Sequence, residues 1–323
     1  DRKTASPVIP LSGKTKFTPP DRSKEAAVAH ALRTIDVTEV EYAIANVKNI
    51  ATSKGNLTMS TYKKMTRIHC IELARWFNSW FAAAMYPDLK ETPVNDIPKP
   101  GKDPTKLANL RGIACLSTIA RIYGSILYQR LMWLCLEVGA ISMDQKGIMR
   151  GVCGTTEAPF LIASILRDAN QRMRAKAGWR RIMEILEITL TSHDKEKCFD
   201  SIQRGVIIAA VAEVLGVAAL PFARAYLAMY DGATIVITGR KKGEPRAHIN
   251  LTAAIHQGCV MSAIIQVIVI EYGRRIAVAT VPDTDTQMGY AFEGVDILPP
   301  PCSRVRRRRH VHGNNQGRRS DTW

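Results

Sequence analysis

Asp194 stands near the start of the stretch His193-Asp194-Lys195-Glu196-Lys197-Cys198-Phe199-Asp200-Ser201-Ile202. A carboxylate on the lip of a rigid strand is well placed to hold a divalent metal ion, with an aromatic, Phe199, five residues on. The same ten residues also read as a solvated charged turn. Lys99, Lys102 and Arg111 lie on and beside a Pro/Gly-rich turn, where cationic side chains could grip phosphate or simply face water. Gln257-Gly258 precedes a long apolar segment, and a glycine there lets a ligand approach the backbone closely. Glu293 and Asp296 fall in a short extended stretch, residues 288–298, that Pro299–Pro301 stop.

These residues need elements to position them. Leu186, Ile188 and Leu190 alternate with Glu187, Thr189 and Thr191, which predicts a strand over 182–192 ending just before Asp194. Beyond it, Ile202, Val206, Ile207, Ala210, Val211 and Val214 recur at helical spacing up to Gly216, a C-cap candidate. Residues 92–104 and 110–116 read as a hairpin around Lys99-Pro100-Gly101-Lys102. Helices are expected over 117–138, 155–176 and 222–229, and after Ser262 through Ile264, Ile265, Val267, Ile268 and Ile276. Upstream, Ser23 is a candidate N-cap and residues 37–50 carry a helical period. Met65, Ile68, Ile71, Leu73, Phe77 and Trp80 predict one long helix from Ser60 to Met85. Thr234–Thr238 is a further strand, followed by the basic turn Gly239-Arg240-Lys241-Lys242-Gly243.

Composition narrows the partners. The 323 residues are 46% hydrophobic and 23% charged, a globular balance. The formal net charge is +16, and residues 303–323, with seven arginines and one aspartate, supply only +6 of it. A basic body favours a polyanionic partner, nucleic acid first and an acidic membrane surface second. The seven scattered cysteines show no Cys-x-x-Cys spacing, which argues against a structural zinc site or a disulfide framework. No run of 18 apolar residues occurs, so no membrane-spanning segment is expected, and the expected partners include no membrane. Arg306–Arg309 could bind RNA or serve as a nuclear address, or belong to a tail that never folds.

The order of the pieces resembles the reverse transcriptase domain of non-LTR retrotransposons. The resemblance covers roughly residues 23–298. It rests on Lys54-Gly55-Asn56-Leu57, on Ile97-Pro98-Lys99-Pro100-Gly101-Lys102 followed by Arg111-Gly112-Ile113, and on Gln145-Lys146-Gly147-Ile148. It continues in Asp194-Lys195-Glu196-Lys197-Cys198-Phe199-Asp200-Ser201 and in Gln257-Gly258-Cys259-Val260-Met261-Ser262-Ala263. The implied fold is α+β, helix-rich, with right-hand polymerase fingers and a partial palm and no recognisable thumb. On this reading residues 1–22 are a linker, 23–181 upstream helices and fingers, 182–301 the partial palm and 302–323 a basic disordered tail.

The resemblance implies RNA-directed DNA synthesis by two-metal nucleotidyl transfer, with Mg²⁺ (or Mn²⁺) as cofactor and an RNA template, a DNA primer and dNTPs as partners. Asp194 and Asp296 are the implied catalytic carboxylates. The Lys195 backbone carbonyl and Glu293 are further implied metal contacts. Lys99, Lys102 and Arg111 would neutralise the triphosphate, Phe199 would sit under the sugar, and Gln257-Gly258 would line the nucleotide pocket. The implied location is intracellular and nuclear. The family's aromatic-x-Asp-Asp turn is represented only by Tyr290-Ala291-Phe292-Glu293-Gly294-Val295-Asp296, without adjacent aspartates, so the expected activity is impaired. The alternative is a non-catalytic remnant that still binds nucleic acid.

Overall fold

The structure is a computed structural model that describes residues 22–48, 57–85, 91–106, 109–141, 145, 147, 153–177, 199, 201–237, 247–250 and 255–279. The chain divides into two compact units, residues 1–141 with 195–280 and residues 142–194 with 281–323. The expected strand over 182–192, the stretch 288–298, the basic turn at 239–243, residues 1–21 of the expected linker and the arginine tail lie outside the described residues; Arg22, the linker's last residue, begins the first helix.

The first unit is helix-rich α+β with one small mixed sheet. Helix α1 (Arg22–Ala31) begins beside the Ser23 candidate, and α2 (Val37–Asn46) falls within the period expected over 37–50, started by Asp36. Its side chain accepts the Thr38 and Glu39 amides while Glu39 reaches back to the Asp36 N–H, a reciprocal cap. The long helix expected over 60–85 is two, α3 (Met59–Tyr62) and α4 (Arg67–Ala82). Thr66 restarts the chain, with His69 Nδ1 accepting its N–H at 3.3 Å. The restart sets the phase of α4, so Cys70, Leu73, Ala74 and Phe77 form the buried stripe at i, i+3, i+4 and i+7. Ile68, expected in the apolar pattern, falls on the far side and is 73% exposed, and Ile71 is exposed too.

Strand β1 (Glu91–Pro98) and strand β2 (Leu110–Ala114) form the expected antiparallel hairpin, with Ile97 opposite Arg111 and Val94 opposite Ala114. Asp103 shapes the tip: its carboxylate accepts from the Thr105 amide and hydroxyl, and its carbonyl from Asn109 Nδ2. Helix α5 (Thr118–Glu137) starts at Ser117, whose hydroxyl accepts the Ala120 amide, and ends before Gly139 at φ +55°. Helices α7 (Arg204–Leu215) and α8 (Leu220–Ala228) follow, joined through Gly216 at φ +96° and a short 3₁₀ turn. Strand β3 (Thr234–Ile237) then pairs in parallel with β1, and β4 (Ala247–Asn250) pairs antiparallel with β3, giving the order β2-β1-β3-β4. Strand β4 is exposed along its whole length, and its four residues, Ala247-His248-Ile249-Asn250, alternate apolar and polar over too short a run to announce a strand. Helix α9 (Val260–Ala279) closes the unit by packing on α5 and α7. Among the described residues no helix is long and apolar enough to cross a membrane. In the second unit, α6 (Gly154–Ala177) spans the helix expected at 155–176.

Two arginines, the buried Arg130 and the half-buried Arg275, fasten these helices. Arg130 on α5 pairs with Glu39 at 2.6 and 2.8 Å and donates to the carbonyls of Ala31, Arg33 and Thr34, satisfying the open end of α1. Arg275 on α9 pairs with Glu271 and reaches the Ala140 and Glu213 carbonyls, tying α9 to the ends of α5 and α7. Burial by itself raises the Glu39 carboxyl's pKa, but the bonds and charge of Arg130 leave it below its ordinary value. Replacing Glu39 with Ala would strand a buried guanidinium. Glu39→Ala is expected to cost about 3 kcal/mol in urea unfolding, far more than loss of the exposed Arg75–Glu72 pair.

Candidate functional site

The site begins at the turn Gln257-Gly258 that leads into α9. On one side the Ile255 N–H donates to the Phe199 carbonyl at 3.0 Å; on the other the Ala114 N–H of β2 donates to the Gln257 carbonyl at 2.7 Å. The turn therefore ties the Phe199 segment to the hairpin. Gly258 has φ +106°, and a Cβ there would lie 2.7 Å from the Ala114 carbonyl oxygen and 3.1 Å from Ile113 Cγ2. The close approach that glycine permits is thus to β2 itself.

Around this joint Arg111, Ile113, Phe199, Gln257, Gly258, Cys259 and Ala263 line a pocket of about 480 Å³. Four of the six residues expected to bind a nucleotide meet here: Arg111, Phe199, Gln257 and Gly258. Lys99 and Lys102 stand at the hairpin tip and are not among the lining residues. The Lys99 N–H bonds the Asn109 carbonyl, and the Lys102 N–H bonds the Lys99 carbonyl. Asp194, Lys195, Glu293 and Asp296 lie outside the described residues. Among the described residues no group of three or more His, Cys, Asp or Glu side chains could hold a metal ion.

Under the turn lies a polar network that sequence reasoning did not single out. Tyr226 and Tyr230, one turn apart at the end of α8, share a hydroxyl contact of 2.8 Å, and Tyr226 meets Ser262 Oγ at 2.7 Å. The His256 N–H donates to Tyr230 Oη at 2.8 Å, while the His256 ring stacks on the Tyr230 ring at 4.9 Å. The Arg204 guanidinium also lies over Tyr230, 5.6 Å from its centroid. Burial pushes the tyrosine hydroxyls and the Cys259 thiol above their ordinary pKa values, so these three groups stay protonated and uncharged. The i, i+4 spacing of the tyrosines was a visible signal, but only the fold brings Ser262 and His256 to it. No family model matches the sequence.

Two outcomes test this joint. Gly258→Ala must shift β2 or the turn and strains the backbone, so it should cost at least about 2 kcal/mol in chemical unfolding. His256 is driven by burial, and then by Arg204, from 6.5 down to about 4. The folded state holds it neutral, so its contribution is full above pH about 6.5 and falls as the pH drops towards 4. Unfolding titrations should show wild type losing roughly 3 kcal/mol more than His256→Phe across that window.

Proposed function

We propose that this chain is a reverse-transcriptase-like domain of a retroelement that binds a dNTP and a primed template, with RNA-directed DNA polymerisation impaired. The observation that supports this reading is the pocket shared by Arg111, Phe199, Gln257 and Gly258, which come from three distant segments. Arg111 supplies a fixed positive charge and a planar fork suited to phosphate. Phe199 supplies an apolar wall against which a sugar can rest. Gln257 offers an amide, and the turn it shares with Gly258 is held rigidly by β2. Lys99 and Lys102 stand on the same hairpin as Arg111 and would extend the basic surface along a polyanion.

Mg²⁺, when bound, would stabilise charge on the transferring phosphoryl group. The described lining of the pocket contains no carboxylate, so its own share of the work is to bind and orient the nucleotide. Asp194, with Glu293 and Asp296, carries the metal-binding part of the proposal from the sequence alone. The second reading, a non-catalytic nucleic-acid-binding remnant, is favoured by the lack of adjacent aspartates around residue 290.

The test is dTTP binding and primer extension on primed poly(rA) with the full chain. Arg111→Ala should weaken dTTP binding roughly tenfold, the worth of a charge-assisted hydrogen bond. Any extension should vanish in Asp194→Ala. Binding of primed template without extension selects the remnant reading; absence of dTTP binding, template binding and extension sinks both.

A further inference from the structure

Three hydroxyls are buried together beside the Gln257-Gly258 turn, on Tyr226, Tyr230 and Ser262, and none of these residues is more than 1% exposed. Apolar packing does not require them. The two tyrosine rings already meet edge to face at 5.3 Å, and phenylalanine would fill the same space without burying a polar atom. The direction of the chain follows from its hydrogens. The His256 N–H enters at Tyr230 Oη, 2.8 Å away, so the Tyr230 hydroxyl has its own hydrogen to pass on. Its nearer acceptor is Tyr226 Oη at 2.8 Å, against 3.5 Å to Ser262 Oγ. Tyr226 then donates to Ser262 Oγ at 2.7 Å, and the Ser262 hydroxyl to the Cys259 sulfur. The chain starts on residue 256 and ends on residue 259. Gln257-Gly258, which lines the pocket, lies between its two ends.

That placement matters because of Gly258. At φ +106° it has backbone conformations open to it that other residues rarely adopt, so contacts on either side must select one. Ala114 holds the Gln257 carbonyl from β2, and Tyr230 holds the amide one residue earlier. Without the Tyr230 hydroxyl the buried His256 N–H would lose this acceptor, at a cost that favours any rotation of the peptide towards another. Such a rotation carries the Gln257 side chain with it. A displacement of a fraction of an ångström is enough to weaken a polar contact to a ligand.

We propose that Tyr230, through the hydroxyl chain it shares with Tyr226 and Ser262, is a positioning residue that sets the affinity of the pocket for a nucleotide by fixing Gln257. This role rests on the nucleotide reading of the pocket. Neither tyrosine is among the lining residues, so each acts through the turn and not by touching the ligand.

The experiment measures dTTP binding and primed poly(rA) binding on the full chain. Tyr230→Phe should weaken dTTP binding about fivefold and leave primed-template affinity within about twofold of wild type. Double variants separate positioning from a general loss of stability. In a Gln257→Ala background, Tyr230→Phe should cost less than about twofold more, because the side chain it positions is gone. In an Arg111→Ala background it should still cost about fivefold. Tyr226→Phe leaves the His256 N–H its acceptor and removes only the onward bond, so about threefold is expected. The same pair of backgrounds applied to Tyr226→Phe preserves the test if Tyr230→Phe does not fold. A wild-type chain that binds no dTTP sinks the nucleotide reading and this role with it. Wild-type binding that both phenylalanine variants keep, or equal losses in the Gln257→Ala and Arg111→Ala backgrounds, sinks the positioning role alone.

Discussion

The bond from the Ala114 amide to the Gln257 carbonyl is the contact on which the first unit's pocket depends. It joins the hairpin strand β2 to the turn before α9, at a place where only glycine lets the two backbones meet. Arg111 and Ile113 reach the pocket from β2, Cys259 and Ala263 from the start of α9, and Phe199 through its carbonyl bond to Ile255. If β2 and the turn separated, these walls would lose their common frame. Rigid elements, more than loops, hold the lining in place.

Below that joint the protein spends polar groups to keep the turn in one conformation. Tyr226, Tyr230, Ser262 and the His256 amide satisfy one another in the interior. A fully connected polar cluster specifies a unique arrangement, because any slip leaves a buried hydroxyl without a partner. The His256 ring is the weak member. Its Nε2 is buried without a partner among the described residues, and protonating it would place a cation beside Arg204.

The helical layer follows the same economy of charge. Arg130 and Arg275 are long enough to collect carbonyls from helix ends, and each has a carboxylate to neutralise it. Helix ends that would otherwise bury bare carbonyls are closed this way. Arg121 departs from the pattern: it donates to the Lys48 carbonyl and has no carboxylate partner among the described residues.

Local signals were legible where a short segment dictates its own geometry. The period of residues 118–137, the Pro/Gly/Lys hairpin and the apolar run of α9 all placed their elements correctly. The Thr66 cap was missed because it splits a continuous apolar period that, read alone, favours one longer helix, whereas the period that Asp36 starts was read from Val37 onward without its cap. Strand β4 is only four residues long, too short for its alternation to stand out, and it pairs along the edge that β3 offers. For the site, the sequence by itself determined which residues had suitable chemistry: Arg111, Phe199, Gln257 and Gly258. Only the tertiary structure decided that these four share one pocket while Lys99 and Lys102 stand apart from its lining. Side-chain chemistry is a property of each residue, but proximity is set by long-range packing, which no local pattern encodes.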